Sequence, residues 1–366
     1  MHVLITSDTV GGVWTYTQEL VSGLVNNGHR VTLVSFGRIP APHQTKWMQT
    51  LPRFDYRPTE YRLEWMEVAD RDIEDSRHYL ELLIEEVRPD VLHFSQYCYG
   101  DLETSIPKIV VAHSDIVSWW VAVHGREPDD TPWMQNYRRM VTNGLRGADL
   151  VVAPSKWMLE QVSKCYLTPE AGRVIYNGRT PALFDSHSAK EDVVLSVGRV
   201  WDPAKNISLL LQRVQDYPVW VVGWEQEPGR EHRNIRSALP KNVELLGPKS
   251  QDELRGLFAH AGIYAATSRY EPFGLAPLEA ALSGCTLVLN DNPVFHELWS
   301  DSGVFFKKDD AEDLGRAIKK LQSNPELSHE YARRVYETAC SKFAAARMVA
   351  EYEHAYEQVA MTARTA

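Results

Sequence analysis

The chain has 366 residues, 44% of them apolar and 24% charged, with a formal net charge of −10. That length exceeds what one hydrophobic core usually organises, so two domains are expected, and the composition is that of a folded chain and not a disordered one. The acidic balance argues against broad binding to nucleic acid or to an anionic membrane, so an anionic ligand has to be met by locally placed cations and backbone amides.

The opening MHVLITSDTVGG lacks a basic leader, and its apolar run is too short for a signal peptide. No apolar run elsewhere approaches a membrane span, so the expected location is the cytoplasm. Cys98, Cys165, Cys285 and Cys340 show neither metal-ligand nor CxxC spacing and are expected as reduced thiols. Val3 to Ile5 is a short buried strand, Gly11-Gly12 turns the chain, and a helical pattern through Trp14, Leu20 and Leu24 ends at Asn27-Gly28. Val31 to Phe36 is the next strand, and the rhythm repeats through VRPDVLHF, IPKIVVAH and RGADLVVAPS. Alternation of this kind implies a parallel sheet covered on both faces. After the turn-rich YNGRTPALFDSHSAKE it restarts with DVVLSVG, followed by PVWVVG, NVELLG, AGIYAAT, CTLVLND and GVFF. The expected boundary lies near residues 180 to 190. The fold class is α/β, with two Rossmann-like doubly wound domains: residues 1–182, residues 183–342, and a final helical stretch, 343–366, packing back on the first domain.

Ligands of open α/β sheets bind beyond the carboxyl ends of the strands, so the loops there carry the chemistry. Gly11-Gly12 leaves backbone N–H groups and a helix N-terminus open to a phosphate, although two glycines at such a turn are as often simple turn chemistry. The spacing misses GxGxxG, which disfavours a dinucleotide oxidoreductase. After DVVLSVG come Arg199 and Lys205, two cations at a helix entrance, a placement that opposes the macrodipole unless an anion is shared. In SRYEPFGLAPLEAALSG, residues 268–284, Glu271 borders a loop, Gly274 keeps the backbone open, and Glu279 is expected in the first turn of a two-turn helix. Two carboxylates flanking amide donors suit a polyhydroxylated anion; the plainer alternative is a helix-dipole role for Glu279 and a solvated Glu271. Asp129-Asp130 and Asp309-Asp310 are adjacent pairs on polar loops, and neither is assigned to a metal.

With these motifs in place, the chain resembles the retaining glycosyltransferases of the GT-B fold in glycosyltransferase family 4 over nearly its whole length. The resemblance rests on Gly11-Gly12, GHRV, the histidine ending IPKIVVAH, ADLVVAPS, YNG, GRVWDPAKN, the Glu-x7-Glu stretch EPFGLAPLE, and HELW. It implies two domains facing across a cleft. Glu271 would hold donor-sugar hydroxyls, the amides of Phe273, Gly274 and Leu275 would lie beside sugar and diphosphate, and Glu279 would bind the ribose. Arg199 and Lys205 would hold the diphosphate, Gly11 and Gly12 would approach it from the other domain, and His113 would hydrogen-bond the sugar ring. Two departures stand out: Arg199 and Lys205 are one residue further apart than in much of the family, and Ser114-Asp115 with the insert SWWVAVHGREPDDTPW suggests a loop shaped for its own acceptor.

The activity implied is a metal-independent, retaining hexosyl transfer without a cofactor, from a nucleotide sugar, with a UDP-sugar favoured. Its acceptor would be a carbohydrate, lipid-linked or small-molecule hydroxyl, as in exopolysaccharide or glycoconjugate synthesis. A nucleotide-sugar epimerase or a non-catalytic nucleotide-sugar binder would share the same sites. Seven of the eleven tryptophans fall in the first domain, where indoles can stack on sugar faces, but packing is their commoner use. MQNYRRMVTNGLRG brings Arg138, Arg139 and Arg146 near apolar residues, a pattern open to peripheral membrane contact; the acidic total favours a solvated face.

Overall fold

A computed structural model of the chain describes residues 1–9, 11–212, 215–227 and 239–365. It divides into two compact units, one of residues 1–121, 126–178 and 345–366, the other of residues 122–125 and 179–344.

The first unit holds a seven-stranded sheet. Its strands are β1 (His2–Asp8), β2 (Arg30–Phe36), β3 (Phe54–Pro58), β4 (Val91–Phe94), β5 (Lys108–Val111), β6 (Leu150–Ala153) and β7 (Gly172–Val174). The spatial order is β3-β2-β1-β4-β5-β6-β7, every neighbour pair parallel. Because successive side chains point to opposite faces, Leu4, Leu92 and Val110 enter one apolar cluster, while Val3, Ile5, Val91 and Ile109 enter another. Burial on both faces accounts for the continuous apolar runs in these strands. The helix Ala345–Thr365 lays Met348, Val349, Tyr352, Ala355, Tyr356 and Val359 onto the second cluster, a spacing that keeps one helical stripe inward.

On the other face, the helix Pro132–Gly147 meets the turn Tyr97–Tyr99 backbone to backbone. A Cβ at Gly144 would lie 1.8 Å from the Tyr97 carbonyl oxygen, and one at Gly147 would lie 2.6 Å from that of Gly100.

The second unit holds six parallel strands, β8 (Glu191–Val197), β9 (Val219–Val222), β10 (Val243–Gly247), β11 (Ala261–Ala266), β12 (Thr286–Asn290) and β13 (Val304–Phe306), in the order β10-β9-β8-β11-β12-β13. Its core gathers Val194, Val219, Ile263, Val288 and Phe306 with Leu314, Ile318 and Leu321 from the helix Ala311–Gln322. Each sheet therefore reverses its winding once, between β1 and β4 in the first and between β8 and β11 in the second.

Two differences from the sequence expectations concern the sheets and helices directly. The edge strands β3 and β7 lack an apolar run because neither is buried on both faces. The insert SWWVAVHGREPDDTPW is largely helical: Ile116–His124 takes up its first half, and Pro132–Gly147 starts at its end. All four cysteines are free. No helix among the described residues is long and apolar enough to cross a membrane.

Candidate active site

The crevice of a doubly wound sheet opens where the winding reverses. In the second unit the residues after β8 and after β11 meet there. Gly198 follows β8, and Lys205 folds back over it: a Cβ at Gly198 would lie 3.2 Å from Lys205 Cβ and Cγ. From β11 the chain continues through Thr267 and Ser268 to Glu271. Lys205 Nζ stands 2.6 Å from Glu271 Oε2, and Ser268 Oγ donates to the same oxygen at 3.2 Å. Thr267 Oγ1 donates to the Lys205 carbonyl at 2.7 Å, and the Arg269 N–H donates to the Ala204 carbonyl at 2.8 Å, so the two loops are stitched together. Asn290 Nδ2 donates to the carbonyls of Thr267 and Ser268, and Asn292 Nδ2 also donates to that of Ser268.

Arg199, half exposed, lies over the Trp201 ring with its guanidinium carbon 5.2 Å from the ring centroid, and donates to Asp202. Asp202 is buried and also accepts from the Ala204 N–H at 2.9 Å. The anion inferred from two cations at a helix entrance is thus partly supplied by the chain itself: Asp202 faces Arg199, and Glu271 faces Lys205.

The helix Leu275–Leu282 begins at Gly274, whose φ of 95° suits glycine best. A Cβ there would press on Glu271 Cγ at 3.1 Å and Pro277 Cγ at 3.3 Å. Phe273, buried, packs edge-on to Phe343 and anchors this turn. Glycine offers no side-chain oxygen to the first-turn N–H groups, which are the groups an anion seeks at a helix start. The helix Gly12–Asn26 begins the same way, on Gly11 at φ 87°. Five other helices are instead capped by side chains, those of Thr131, Ser155, Ser250, Asp310 and Asn324.

Glu279 is placed differently from expectation. It is the fifth residue of its helix, in the second turn, and its Oε1 lies 2.9 Å from Nε of Arg179. Arg179 is 1% exposed and also lies over the Phe184 ring at 5.3 Å. The sequence contained Arg179 in YNGRTP, but gave no sign that this arginine meets a carboxylate one hundred positions away. Asp309, expected on a solvated loop, accepts from Arg269 at 3.0 Å and Asn206 at 2.8 Å, while Asp310 caps the following helix. Asp129 pairs with Arg126 and Asp130 accepts from Gln135. Among the described residues, no group of three or more His, Cys, Asp and Glu side chains converges as metal ligands.

In the first unit, His113 follows β5 with its ring edge-on to Tyr16, centroids 4.6 Å apart. Burial lowers it to about pKa 3, so it is neutral at physiological pH, and its Nε2 is sealed from solvent without a hydrogen-bond partner. His93, fully buried one strand away, bonds the hydroxyls of Tyr16 and Tyr356 at 3.3 and 2.8 Å; burial first, then His113, lowers it to about 3. A depressed histidine pKa means that the unfolded chain takes up the proton first. The stability this residue contributes is therefore complete above pH 6.5 and lost as pH falls toward 3, a cost of about 2 kcal/mol at pH 5. Urea denaturation at pH 7 and pH 5 should show that loss together with an equal one from His113, which burial lowers as far, and His93→Gln should remove about half of the total.

Comparison with known proteins identifies the family and the fold. Residues 10–182 match Glycosyltransferase Family 4, and residues 182–338 match Glycosyl transferases group 1. The O-antigen chain mannosyltransferase RfbU of Salmonella typhimurium is 26% identical over 54% of this chain, and the match spans 58% of RfbU's own length. Sucrose-phosphate synthase from Thermosynechococcus elongatus superposes with a TM-score of 0.76 at 16% identity, covering 98% of this chain and 99% of that one. HepE of Anabaena, solved with UDP and glucose, superposes at 0.75 with 17% identity, covering 98% and 100%. The two family matches run without a break from the glycine turn after β1 to the helices that follow β13, and on that footing the chain belongs to glycosyltransferase family 4, with the GT-B fold.

Proposed function

We propose that this protein moves a hexose from a nucleoside diphosphate sugar to a hydroxyl group of a carbohydrate, lipid-linked or small-molecule acceptor, with retention of anomeric configuration and without a metal. The observation that carries this is the meeting of Lys205 with Glu271 at the winding reversal of the second sheet, beside Arg199 and a glycine-started helix. Breaking the bond between the anomeric carbon and the phosphate oxygen leaves negative charge on the diphosphate, so holding that charge is the main catalytic task. Lys205 and Arg199 supply cations for it, and the N–H groups at Gly274 and Leu275 supply dipoles. Glu271, once Lys205 turns toward phosphate, accepts from hydroxyls of the transferred sugar, and Glu279 accepts from the ribose. Gly11 and Gly12 offer amides, and neutral His113 offers Nε2 to a sugar hydroxyl. The acceptor oxygen bonds to the anomeric carbon on the face the phosphate leaves, and its proton passes to the departing phosphate oxygen.

UDP-glucose is the donor of first choice, because HepE was solved with UDP and glucose. A mannosyl donor is the comparison, because RfbU is a mannosyltransferase. Incubation with UDP-, GDP- and ADP-sugars should release UDP from UDP-glucose, faster when an acceptor is present; release of no nucleotide from any donor would refute the proposal. Glu279→Ala should weaken UDP binding by roughly tenfold, the loss of one hydrogen bond to a charged group. Calorimetry giving an unchanged affinity would remove Glu279 from the ribose site.

A further inference from the structure

Most buried polar groups around the first sheet have partners. Thr9 Oγ1 donates to the carbonyls of Phe36 and Arg38, Ser7 Oγ bonds Thr17 Oγ1, and Glu64 accepts from the N–H groups of Tyr97 and Cys98. The end of β4 differs. Gln96 is 3% exposed, yet neither its amide nitrogen nor its amide oxygen has a hydrogen-bond partner. Ser95 Oγ, just before it, and His113 Nε2, at the end of the neighbouring strand, are also out of contact with solvent and unpartnered.

Register brings these groups to one edge. His93 on β4 is level with Ile5 on β1 and Ile109 on β5, and Phe94 is level with Val110. The Ser95 N–H donates to Thr6 Oγ1 at 3.1 Å, which keeps the chain beside β1 one residue beyond the end of β4. Ser95 and Gln96 therefore stand at the winding reversal, with the glycine-started helix Gly12–Asn26 on one side and His113 on the other. Burying an amide with both ends unmet costs stability, and a methionine of nearly the same shape would not incur that cost. What a carboxamide offers is a donor and an acceptor side by side in one plane, which matches the vicinal hydroxyls of a pyranose.

We infer that Gln96, with Ser95 and His113, recognises vicinal hydroxyl groups of a sugar ring: its NH2 donates to one hydroxyl oxygen and its carbonyl accepts from the next. The substrate class rests on the sugar transfer proposed above. The ring is either the hexose of the donor or a sugar acceptor, and the experiment separates the two.

The full chain and its Gln96→Met variant are compared in three measurements: the thermal midpoint without ligand, calorimetric affinities for UDP and UDP-glucose, and Michaelis constants with methyl glucoside and methyl mannoside as acceptor probes. The variant should keep or raise the midpoint and leave UDP affinity unchanged. An affinity for UDP-glucose reduced tenfold or more assigns the site to the donor hexose; a Michaelis constant for a glycoside raised tenfold or more, with UDP-glucose affinity unchanged, assigns it to the acceptor. Every sugar-dependent quantity unchanged overturns the inference whatever the midpoint does, and a lowered midpoint then shows that the amide serves the fold through internal water. A wild-type chain that binds no UDP refutes the nucleotide donor instead, and Gln96 is then judged by direct titration of the two glycosides, where equal affinities in both proteins overturn it.

Discussion

Lys205→Ala is expected to lower turnover by roughly 100- to 1,000-fold, the loss seen when one preorganised charge-stabilising donor is removed. The ammonium sits 2.6 Å from Glu271, on a loop whose carbonyls at Ala204 and Lys205 are tied to Arg269 and Thr267. Because those ties run through the backbone, truncating the side chain should leave the loop in place. The effect should then fall on turnover and not on folding. Lys205→Arg restores the charge but replaces a compact ammonium with a planar fork, so it should recover only part of the rate. Steady-state kinetics supply the check: an alanine variant with wild-type turnover would take Lys205 out of the phosphate role.

Arg179→Met should destabilise the protein by about 3–5 kcal/mol, the cost of leaving one partner of a buried ion pair uncompensated. Arg179 is 1% exposed and its partner Glu279 is 14% exposed, so water cannot take over the role of the guanidinium. The double variant Arg179→Met, Glu279→Gln removes both charges and should regain most of the loss. Chemical denaturation of the four proteins closes the cycle. Equal losses in the single and double variants would show that the arginine acts through packing, for instance on Phe184, and not through the carboxylate. The same pair bears on binding, since a Glu279 released from Arg179 no longer presents its carboxylate in one place.

Much of this was legible in the sequence wherever burial leaves a periodic trace. The inner strands of both sheets are apolar runs because both of their faces are covered, and each was visible as such. Phe54–Pro58 and Gly172–Val174 were not, since an edge strand with one open face can carry Asp55, Arg57 and Pro58 or stop after three residues. At the site, Arg199, Lys205 and Glu271 were visible from their place after strands, and the fold brings the last two into contact. Their protein counter-charges were hidden for a simple reason: nothing local in WDPAKN distinguishes an aspartate that caps a loop from one that faces solvent. From the sequence Glu279 is expected one turn too early, because Pro277 suits the first turn of a helix, whereas the chain enters the helix at the left-handed Gly274. Gln96 left no trace at all, as an amide without partners is a property of three-dimensional surroundings and not of spacing.

The contact between Gly144 and the Tyr97 carbonyl constrains how this region can diverge among homologues. No residue bearing a Cβ fits at 1.8 Å from an oxygen, so drift at position 144 is blocked until the turn after β4 has withdrawn. Replacement there and a change in the length or path of that turn should therefore occur as a linked pair, and lineages that keep the turn should keep the glycine.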